Sequence, residues 1–384
     1  MERKRLQSSF LPVFLSEHLR NQIVASSVVR RWPFASFGCA GKTGTANDER
    51  LATNDLALTD KFGRSIHDLR ISITDRCNYR CVYCRTGTNG AAFAELPFGD
   101  YLRMARILVG LGITKIRLTG GEPLLRKGIV DFVRDLSKLR TVQGEKPEIA
   151  LTTNGHLLAE IAQPLKDAGL DRVTVSMDAV DPDRFARITR VPNGFESVLA
   201  GVRASRHAGL DPVKVNCVLL RGFNEDQVIP FGMFAREEGV VVRFIEFMPL
   251  EEDRVWTPHT VVTLEEVVAR MSEYLPLVEI GHVRSETARR YRFADGVGEI
   301  GIIAPVSHPF CGHCSRIRIT SDGKLRTCLF SIWDHDLHEL MRRGAADDKL
   351  AEFIVGVVEK KEERHHIGEA GFVPPSRTMV HIGG

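Results

Sequence analysis

Residues 69–84 read LRISITDRCNYRCVYC, an alternating apolar run followed directly by three closely spaced cysteines. Such a run, which contains β-branched residues, is typical of a strand. Further along the chain, similar runs alternate with amphipathic segments of helical length, several of which end at glycine. We predict six strands, at 69–73, 113–118, 148–151, 172–175, 213–218 and 241–245. The helices between them are predicted at 101–111, 129–139, 157–168, 195–208 and 227–238.

Six successive βα units predict an α/β protein with a parallel sheet. Their short, evenly spaced connections favour a partial (β/α)6 barrel of the triosephosphate-isomerase type, and a doubly wound sheet is the alternative. Residues 1–60 show little periodicity. We expect them to be a disordered extension, or the product of a mis-assigned start, rather than an organelle transit peptide.

The composition limits the possible functions. The 384 residues include 52 lysines and arginines against 49 acidic residues, which is too small an excess to predict binding to nucleic acid or to an anionic membrane. No apolar run reaches the ~18 residues that cross a bilayer. We therefore expect a soluble, cytoplasmic protein in which a local cluster of cations meets any anionic ligand.

Polar residues follow every predicted strand. Active sites of such folds gather at the carboxyl ends of the strands. One polar strand end alone would be explained by ordinary helix caps and turns, but six on one rim predict a site. These polar stretches are residues 74–77, 119–122, 152–155, 176–178, 214–216, which lie within their predicted strand, and 246–248.

The first strand end carries Cys77, Cys81 and Cys84, which we call the N-terminal trio. Three thiols cannot pair among themselves without a remainder, so disulfides would have to reach cysteines far along the chain. A four-iron cluster held by three thiolates keeps one iron open to a non-protein ligand. Zinc is the alternative, although its cysteines usually come as two C-x2-C pairs. We therefore predict a 4Fe–4S cluster.

A second group, Cys311, Cys314 and Cys328, is called the C-terminal trio. It offers three thiols again, which predicts a second 4Fe–4S cluster. Residues 316–318 read Arg-Ile-Arg, so we expect a strand with both arginines on one face and a hairpin turn at residues 322–323. Two guanidinium groups beside a metal site suggest a phosphate-bearing ligand. An edge strand with solvated arginines is the alternative.

The N-terminal trio resembles the hallmark loop of the radical S-adenosylmethionine superfamily, in which an aromatic residue, here Tyr83, precedes the third cysteine. This resemblance implies that S-adenosylmethionine chelates the open iron and is cleaved to a 5′-deoxyadenosyl radical. The turn Gly120-Gly121-Glu122-Pro123 looks like the superfamily's methionine-binding turn. Its glycines would allow a ligand to approach closely, and we expect Glu122 to pair with an ammonium group.

The two trios and the terminal Gly383-Gly384 together resemble the GTP 3′,8-cyclase family of molybdenum-cofactor biosynthesis, from about residue 61 to the end. The resemblance implies a partial barrel at 61–290 and a C-terminal domain at 291–384. That domain would hold the auxiliary cluster, and its Gly-Gly tail would reach into the active site. The chain departs from the family after Cys84, where Arg85-Thr86 replaces an apolar residue and proline.

The same resemblance implies a role for individual residues. The metal ligands would be the six cysteines of the two trios. Contacts to S-adenosylmethionine would come from Tyr83, Gly121, Ser176 and Met248. Contacts to GTP would come from Arg70, Arg117, Thr152, Lys214, Arg316, Ile317 and Arg318. The five cations among them come from dispersed positions and would neutralise a triphosphate, which the net charge does not explain.

The implied reaction converts GTP to (8S)-3′,8-cyclo-7,8-dihydroguanosine 5′-triphosphate. The radical would take hydrogen from ribose C3′, and the carbon radical would attack C8 of a guanine held at the second cluster. The implied partners are a reductase or flavodoxin-type electron donor, the downstream cyclic pyranopterin monophosphate synthase and a second copy of the chain in a homodimer. The alternatives are a peptide-modifying radical enzyme with an auxiliary cluster and a non-catalytic zinc protein.

Some polar residues are expected to have no functional role. We predict that Cys217, which lies between apolar neighbours, is a buried core thiol. We predict solvated faces for the charge run at 359–364 and for four histidines, His335, His338, His365 and His366.

Overall fold

The computed structural model describes residues 58–85, 93–281 and 286–383. The predicted N-terminal extension lies outside these ranges apart from residues 58–60, and Gly384 also lies outside them. Within the described ranges, each helix is too short or too polar to cross a membrane.

The first part of the fold alternates strands and helices as predicted. The strands are β1 (Asp68–Ser72), β2 (Lys115–Thr119), β3 (Glu148–Thr153), β4 (Arg172–Ser176), β5 (Lys214–Leu219) and β6 (Val241–Glu246). The helices are α1 (Phe98–Gly110), α2 (Ile129–Ser137), α3 (Leu158–Asp167), α4 (Pro182–Thr189), α5 (Gly194–His207) and α6 (Val228–Glu237). All the predicted strands and helices are confirmed, with ends displaced by three residues or fewer.

Helix α4 is the element of this part that the sequence analysis missed. Its signal was present, because Asp181 accepts a hydrogen bond from the backbone N–H of Arg184 at 2.8 Å and Pro182 occupies the first turn. An acidic cap followed by proline is a common helix start.

The second part of the chain extends the sheet at both edges. Its strands are β7 (Leu277–Glu279), β8 (Arg289–Phe293), β9 (Glu299–Ile303), β10 (Arg316–Ile319), β11 (Lys324–Arg326) and β12 (His335–Asp336). Its helices are α7 (Leu264–Tyr274), α8 (Leu337–Arg342), α9 (Asp347–Val358) and α10 (Met379–Ile382).

The sheet order identifies the fold. Strands β1 to β6 are neighbours in sequence order and pair in parallel, while β10 pairs in parallel with β1 and β9 with β6. A doubly wound sheet needs a point at which the strand order reverses. The order of β1 to β6 never reverses, so that alternative is wrong and the α/β partial barrel is confirmed. Among the described residues the sheet remains open, with β12 and β7 at its ends.

Alternation along the strands creates two different faces. Leu69, Ile71 and Ile116 are almost completely buried in the main core together with side chains of the surrounding helices. Burying one such side chain contributes about 1.5–3 kcal/mol. The residues between them point to the opposite face, and the strand register sets Arg70 beside Arg117 on one side and beside Arg318 on the other. The face that carries Arg70, which we call the inner face, is therefore basic. The outer face, which packs against the helices, is apolar.

Strand β10 is an interior strand. It lies between β1 and β11, so the alternative of an edge strand with solvated arginines is wrong. It forms an antiparallel hairpin with β11, in which Gly323 adopts a φ of 80° and donates to the carbonyl of Thr320 at 2.9 Å. The predicted hairpin is confirmed.

Candidate active site

A cavity of 560 Å³ runs along the inner face of the sheet. All six cysteines of the two trios line it, and so do the four residues expected to contact S-adenosylmethionine. Six of the seven residues expected to contact GTP also line it; they are Arg70, Arg117, Thr152, Lys214, Arg316 and Arg318. The exception is Ile317, which is completely buried in the core because it alternates to the other face of β10.

The cavity is also lined by cations that the sequence analysis did not assign to the site, among them Arg172 and Arg243. Burial and the neighbouring Arg316 and Arg117 lower the pKa of Arg70 to about 9. Burial and the neighbouring Arg243 and Arg172 lower the pKa of Lys214 to about 8. Like charges crowded in a buried space repel one another, so the inner face favours an anionic ligand. The sequence pattern could have identified Arg243, because it alternates with buried residues along β6 and so faces the inner side of the sheet.

Hydrogen bonds to other described residues orient some of these cations but not all of them. Arg117 donates to the hydroxyls of Thr152 and Thr174, each at 3.2 Å, and Arg318 donates to the carbonyl of Gly383 at 2.7 Å. Gly383 has a φ of 80°, and a Cβ there would lie 2.8 Å from the methyl group of Thr119. The chain end therefore passes close to β1 and β2. Within the described ranges, the charged end of Arg70 makes no hydrogen bond.

The N-terminal trio lies on a loop that is held by its neighbours. The backbone N–H of Val82 donates to the carbonyl of Ile188 at the end of α4 at 3.0 Å. The hydroxyl of Tyr83 donates to the Asp178 carboxylate at 2.7 Å, which ties the loop to the end of β4. Burial raises the pKa of Cys84 to about 12, and Cys77 and Asp178 add to this effect.

The glycine turn after β2 packs closely against the backbone that precedes the N-terminal trio. A Cβ at Gly121 would lie 2.3 Å from the carbonyl oxygen of Arg76, so glycine is required because two backbones meet there. The Glu122 carboxylate is buried and accepts hydrogen bonds from the Thr153 hydroxyl at 2.7 Å and the Asn154 backbone N–H at 2.6 Å. It does not line the cavity. The Glu122 side chain thus holds the turn against the end of β3, and its expected pairing with an ammonium group stays a prediction.

The C-terminal trio has basic surroundings. Burial alone would raise the pKa of Cys314, but Arg316 and Lys361 lower it to about 6. Arg64 donates to the carbonyl of Cys311 at 2.9 Å. Thiolates are stabilised by nearby cations, so Cys314 favours the deprotonated form, while burial raises the pKa of Cys311 and Cys328.

Part of the charge run predicted to be solvated lies against this trio. Lys361 is only 1% exposed. His365 lines the cavity, and its ring lies 5.1 Å from that of Phe330; burial and the neighbouring His366 and Arg364 lower the pKa of His365 to about 4. The prediction of solvated faces is therefore wrong for Lys361 and His365, because both pack against chain segments that are distant in sequence. It holds for the exposed His366, while His335 and His338 are half-buried.

The donors of the two trios are free thiols, the type of ligand that iron–sulfur clusters take. The seven described cysteines are free of disulfides, and the one outside the trios, Cys217, is a buried core thiol as predicted. Beside the C-terminal trio, the Nε of Arg316 and both ring nitrogens of His365 are buried and lack hydrogen-bond partners among the described residues. Buried polar atoms are nearly always paired in folded proteins, so these atoms fit a site that a bound ligand completes.

Comparisons with known proteins agree with this geometry. The family model described as Radical SAM superfamily matches residues 71–234, and the one described as Molybdenum Cofactor Synthesis C matches residues 240–367. Among solved structures, SuiB of Streptococcus suis bound to S-adenosylmethionine has a TM-score of 0.53 at 14% identity, over 77% of this chain and 68% of that chain. A likeness this distant shows the fold alone.

Sequence relatives are more specific. The GTP 3′,8-cyclase of Corynebacterium glutamicum is 43% identical over 344 residues, which cover 87% of this chain and 91% of that protein. The GTP 3′,8-cyclase of Heliobacterium modesticaldum is 42% identical over 332 residues, which cover 85% of this chain and 100% of that protein. Membership of the radical SAM superfamily implies S-adenosylmethionine and an iron–sulfur cluster as cofactors. The chain belongs to the GTP 3′,8-cyclase family of radical S-adenosylmethionine enzymes.

Proposed function

We propose that this protein converts GTP to (8S)-3′,8-cyclo-7,8-dihydroguanosine 5′-triphosphate, the first step of molybdenum-cofactor biosynthesis. The observation that carries the proposal is the set of basic side chains on the inner face of the sheet, in the cavity that both trios line. A nucleoside triphosphate is the kind of ligand that these cations would neutralise. The family to which the chain belongs supports the same substrate.

We assign one 4Fe–4S cluster to each trio, because three thiolates hold a cubane and leave one iron open. When bound, the cluster of the N-terminal trio and S-adenosylmethionine supply the one-electron chemistry that removes hydrogen from ribose C3′, and the cluster of the C-terminal trio supplies an open position for the guanine. The residues assigned to S-adenosylmethionine are Tyr83, Gly121, Ser176 and Met248.

The cations of the inner face are assigned to the triphosphate. Arg70 has no hydrogen-bond partner among the described residues, so its charge is available to phosphate oxygens. Arg117 and Arg318 are already oriented by protein acceptors, which reduces the entropy lost on binding. The remaining GTP contacts are assigned to Thr152, Lys214, Arg316 and the segment that includes Ile317. The side chain of Ile317 lies outside the cavity, so we assign to Ile317 a contact with GTP through its backbone only.

The protein's own part in the reaction is to position the nucleotide and enclose it. Holding ribose and base in one fixed geometry makes the attack of C3′ on C8 an intramolecular step with a high effective molarity. The cavity walls and the chain end near Gly383 exclude water and competing hydrogen donors. We assign the barrel to residues 61–290 and the auxiliary cluster domain to residues 291–384, with the tail as part of the wall.

We further propose a place for the protein in the cell. It would receive electrons from a reductase or a flavodoxin-type donor in the cytoplasm and work as a homodimer. Its product would pass to cyclic pyranopterin monophosphate synthase. These partners follow from the family's reaction, which needs two electrons for each turnover, one to cleave S-adenosylmethionine and one, with a proton, to reduce the radical that remains after ring closure. The reaction yields a nucleotide that a further enzyme must rearrange.

The test is an anaerobic reconstitution with iron and sulfide, followed by incubation with GTP, S-adenosylmethionine and a strong reductant. We expect about eight irons per chain and conversion of GTP to an isomer that is detected by liquid chromatography and mass spectrometry. No consumption of GTP by protein that holds both clusters would overturn the substrate. Zinc without iron or sulfide would establish the zinc alternative. Tight peptide binding with indifference to GTP would favour the peptide-modifying alternative.

A further inference from the structure

The C-terminal trio is assembled from segments that are distant in sequence, and residues 361–363 connect them. Lys361 donates to the carbonyl of Arg316 at 3.0 Å and also to the carbonyl of Thr327. Arg316 lies two residues after Cys314, and Thr327 directly precedes Cys328. One ammonium group therefore bridges the two backbone segments that carry these cysteines.

The third cysteine is joined to the same residues through Arg64. This guanidinium donates to the carbonyls of Cys311 at 2.9 Å, Glu363 at 2.7 Å and Glu362 at 2.6 Å. The hydroxyl of Thr327 adds a hydrogen bond to the Glu362 carboxylate at 2.6 Å. The backbone segments that carry the three cysteines are thus linked by hydrogen bonds to residues 361–363, directly or through Arg64, and we call these residues the trio strap.

The burial of Lys361 is costly unless an anion offsets its charge. A lysine is almost never fully buried without a charged partner. Among the described residues, however, no carboxylate lies within ion-pair distance of Lys361, and its bonds go to backbone carbonyls. Thiolates of the adjacent trio, with a cluster bound to them, are anions of the required kind.

We propose that Lys361 is a positioning residue for the C-terminal trio, which bridges the segments of Cys314 and Cys328 and offsets the negative charge of a cluster bound there. This inference rests on the second cluster of the proposed function. It predicts that Lys361 controls both the occupancy of this cluster and its reduction potential. A cation near a cluster favours the more negative, reduced state, so its removal makes reduction harder.

The test uses the full chain with Cys77, Cys81 and Cys84 replaced by alanine, so that any iron, sulfide and paramagnetic signal come from the C-terminal trio. In this background Lys361→Met is compared with Lys360→Met, a matched control, because Lys360 is the exposed neighbour. We expect Lys361→Met to lose at least about half of the four irons that one cluster contains. Lys360→Met should retain them, and Lys361→Arg, which keeps the charge and the donors, should restore most of the loss.

A second variant keeps the proposal testable if Lys361→Met does not fold. Lys361→Gln retains a hydrogen-bond donor on a slightly shorter side chain and removes the charge, and we expect it to hold a cluster with a more negative midpoint potential and altered g values. An unchanged iron content and potential in folded Lys361→Met or Lys361→Gln would overturn the inference. If the background without further substitution binds no cluster at all, the second cluster of the proposed function is wrong instead.

Discussion

The two trios have the same number of thiols but differ in their charged neighbours. Burial raises the pKa of Cys311 and Cys328, as it does in the N-terminal trio, and only Cys314 has a lowered pKa. Burial raises the pKa of Cys77 to about 11, with a further contribution from Glu122, and Asp178 acts in the same direction on Cys84. In the C-terminal trio, Arg316 and Lys361 more than offset burial and bring the pKa of Cys314 to about 6. The motif that supplies ligands therefore does not determine the charge around them.

The trios also differ in how they are built. The N-terminal trio lies within eight residues of one loop, whose backbone forms its own turn through the hydrogen bond from Cys84 N–H to Cys81 at 3.0 Å. The C-terminal trio spans Cys311 to Cys328 and depends on Arg64 from before β1 and on the trio strap from near the chain end. A basic site formed by distant residues suits a ligand with negative charge, such as GTP.

The largest expected effect comes from removing one cysteine of each trio, because the two trios serve different steps of the reaction. Cys81→Ala should abolish both cleavage of S-adenosylmethionine and consumption of GTP, because the reactive cluster is lost. Cys314→Ala should abolish GTP conversion but retain slow cleavage of S-adenosylmethionine. Product analysis of both reactions checks this, with Cys217→Ala as the matched control, a buried thiol outside the trios. Equal loss of both reactions in Cys314→Ala would contradict the division of roles.

The next effect concerns thiol reactivity in metal-free protein. At pH 7 Cys314 should be alkylated about 100-fold faster than Cys84, because its larger thiolate fraction outweighs the lower nucleophilicity of a low-pKa thiolate. The rate at Cys314 should rise with pH and level off above pH 6, since its thiolate forms as pH passes its pKa of about 6. Peptide mapping after timed iodoacetamide treatment measures both rates. Similar rates for the two cysteines would remove the electrostatic contrast.

A smaller effect is expected for Arg70, the cation of β1 that lies beside Arg318 of β10. Arg70→Met should weaken GTP binding about 10- to 100-fold, since a hydrogen bond to a charged group contributes about 1.5–3 kcal/mol. Affinity for S-adenosylmethionine should not change. Equilibrium binding of each ligand checks this, with Arg134→Met on the exposed face of α2 as the control. A parallel loss of both affinities would indicate general damage to the cavity.

The smallest effect is a pH dependence of GTP binding. Lys214 is charged below its pKa of about 8 and neutral above it, so affinity for GTP should be highest below pH 8 and fall about fivefold by pH 9. Binding of the anion should raise the pKa of Lys214 and take up protons. Titration calorimetry in buffers of different ionisation enthalpy measures this uptake. Lys214→Arg keeps its charge and should flatten the dependence; an equally steep profile in that variant would exclude Lys214 as its source.

Much of the fold was predictable because its signals are local. Alternating apolar residues located β1 to β6, the cysteine spacing located the N-terminal trio, and Asp322-Gly323 located the hairpin after β10. Each of these signals lies within a window of a few residues, where backbone preference and side-chain periodicity act directly. Helix α4 was missed although its acidic cap and proline carried the same kind of signal.

The amino-acid sequence by itself determined which residues form strands and which residue types are available for chemistry. Only the tertiary structure decided which of them meet. The parallel register sets Arg70 between Arg117 and Arg318, and the path of the chain buries Lys361 against the C-terminal trio. Burial and pairing depend on residues hundreds of positions apart, and a charged residue looks the same in sequence whether it faces water or a cluster site. For that reason the charge run at 359–364 had the pattern of a solvated surface, although part of it is the strap that joins three cysteines.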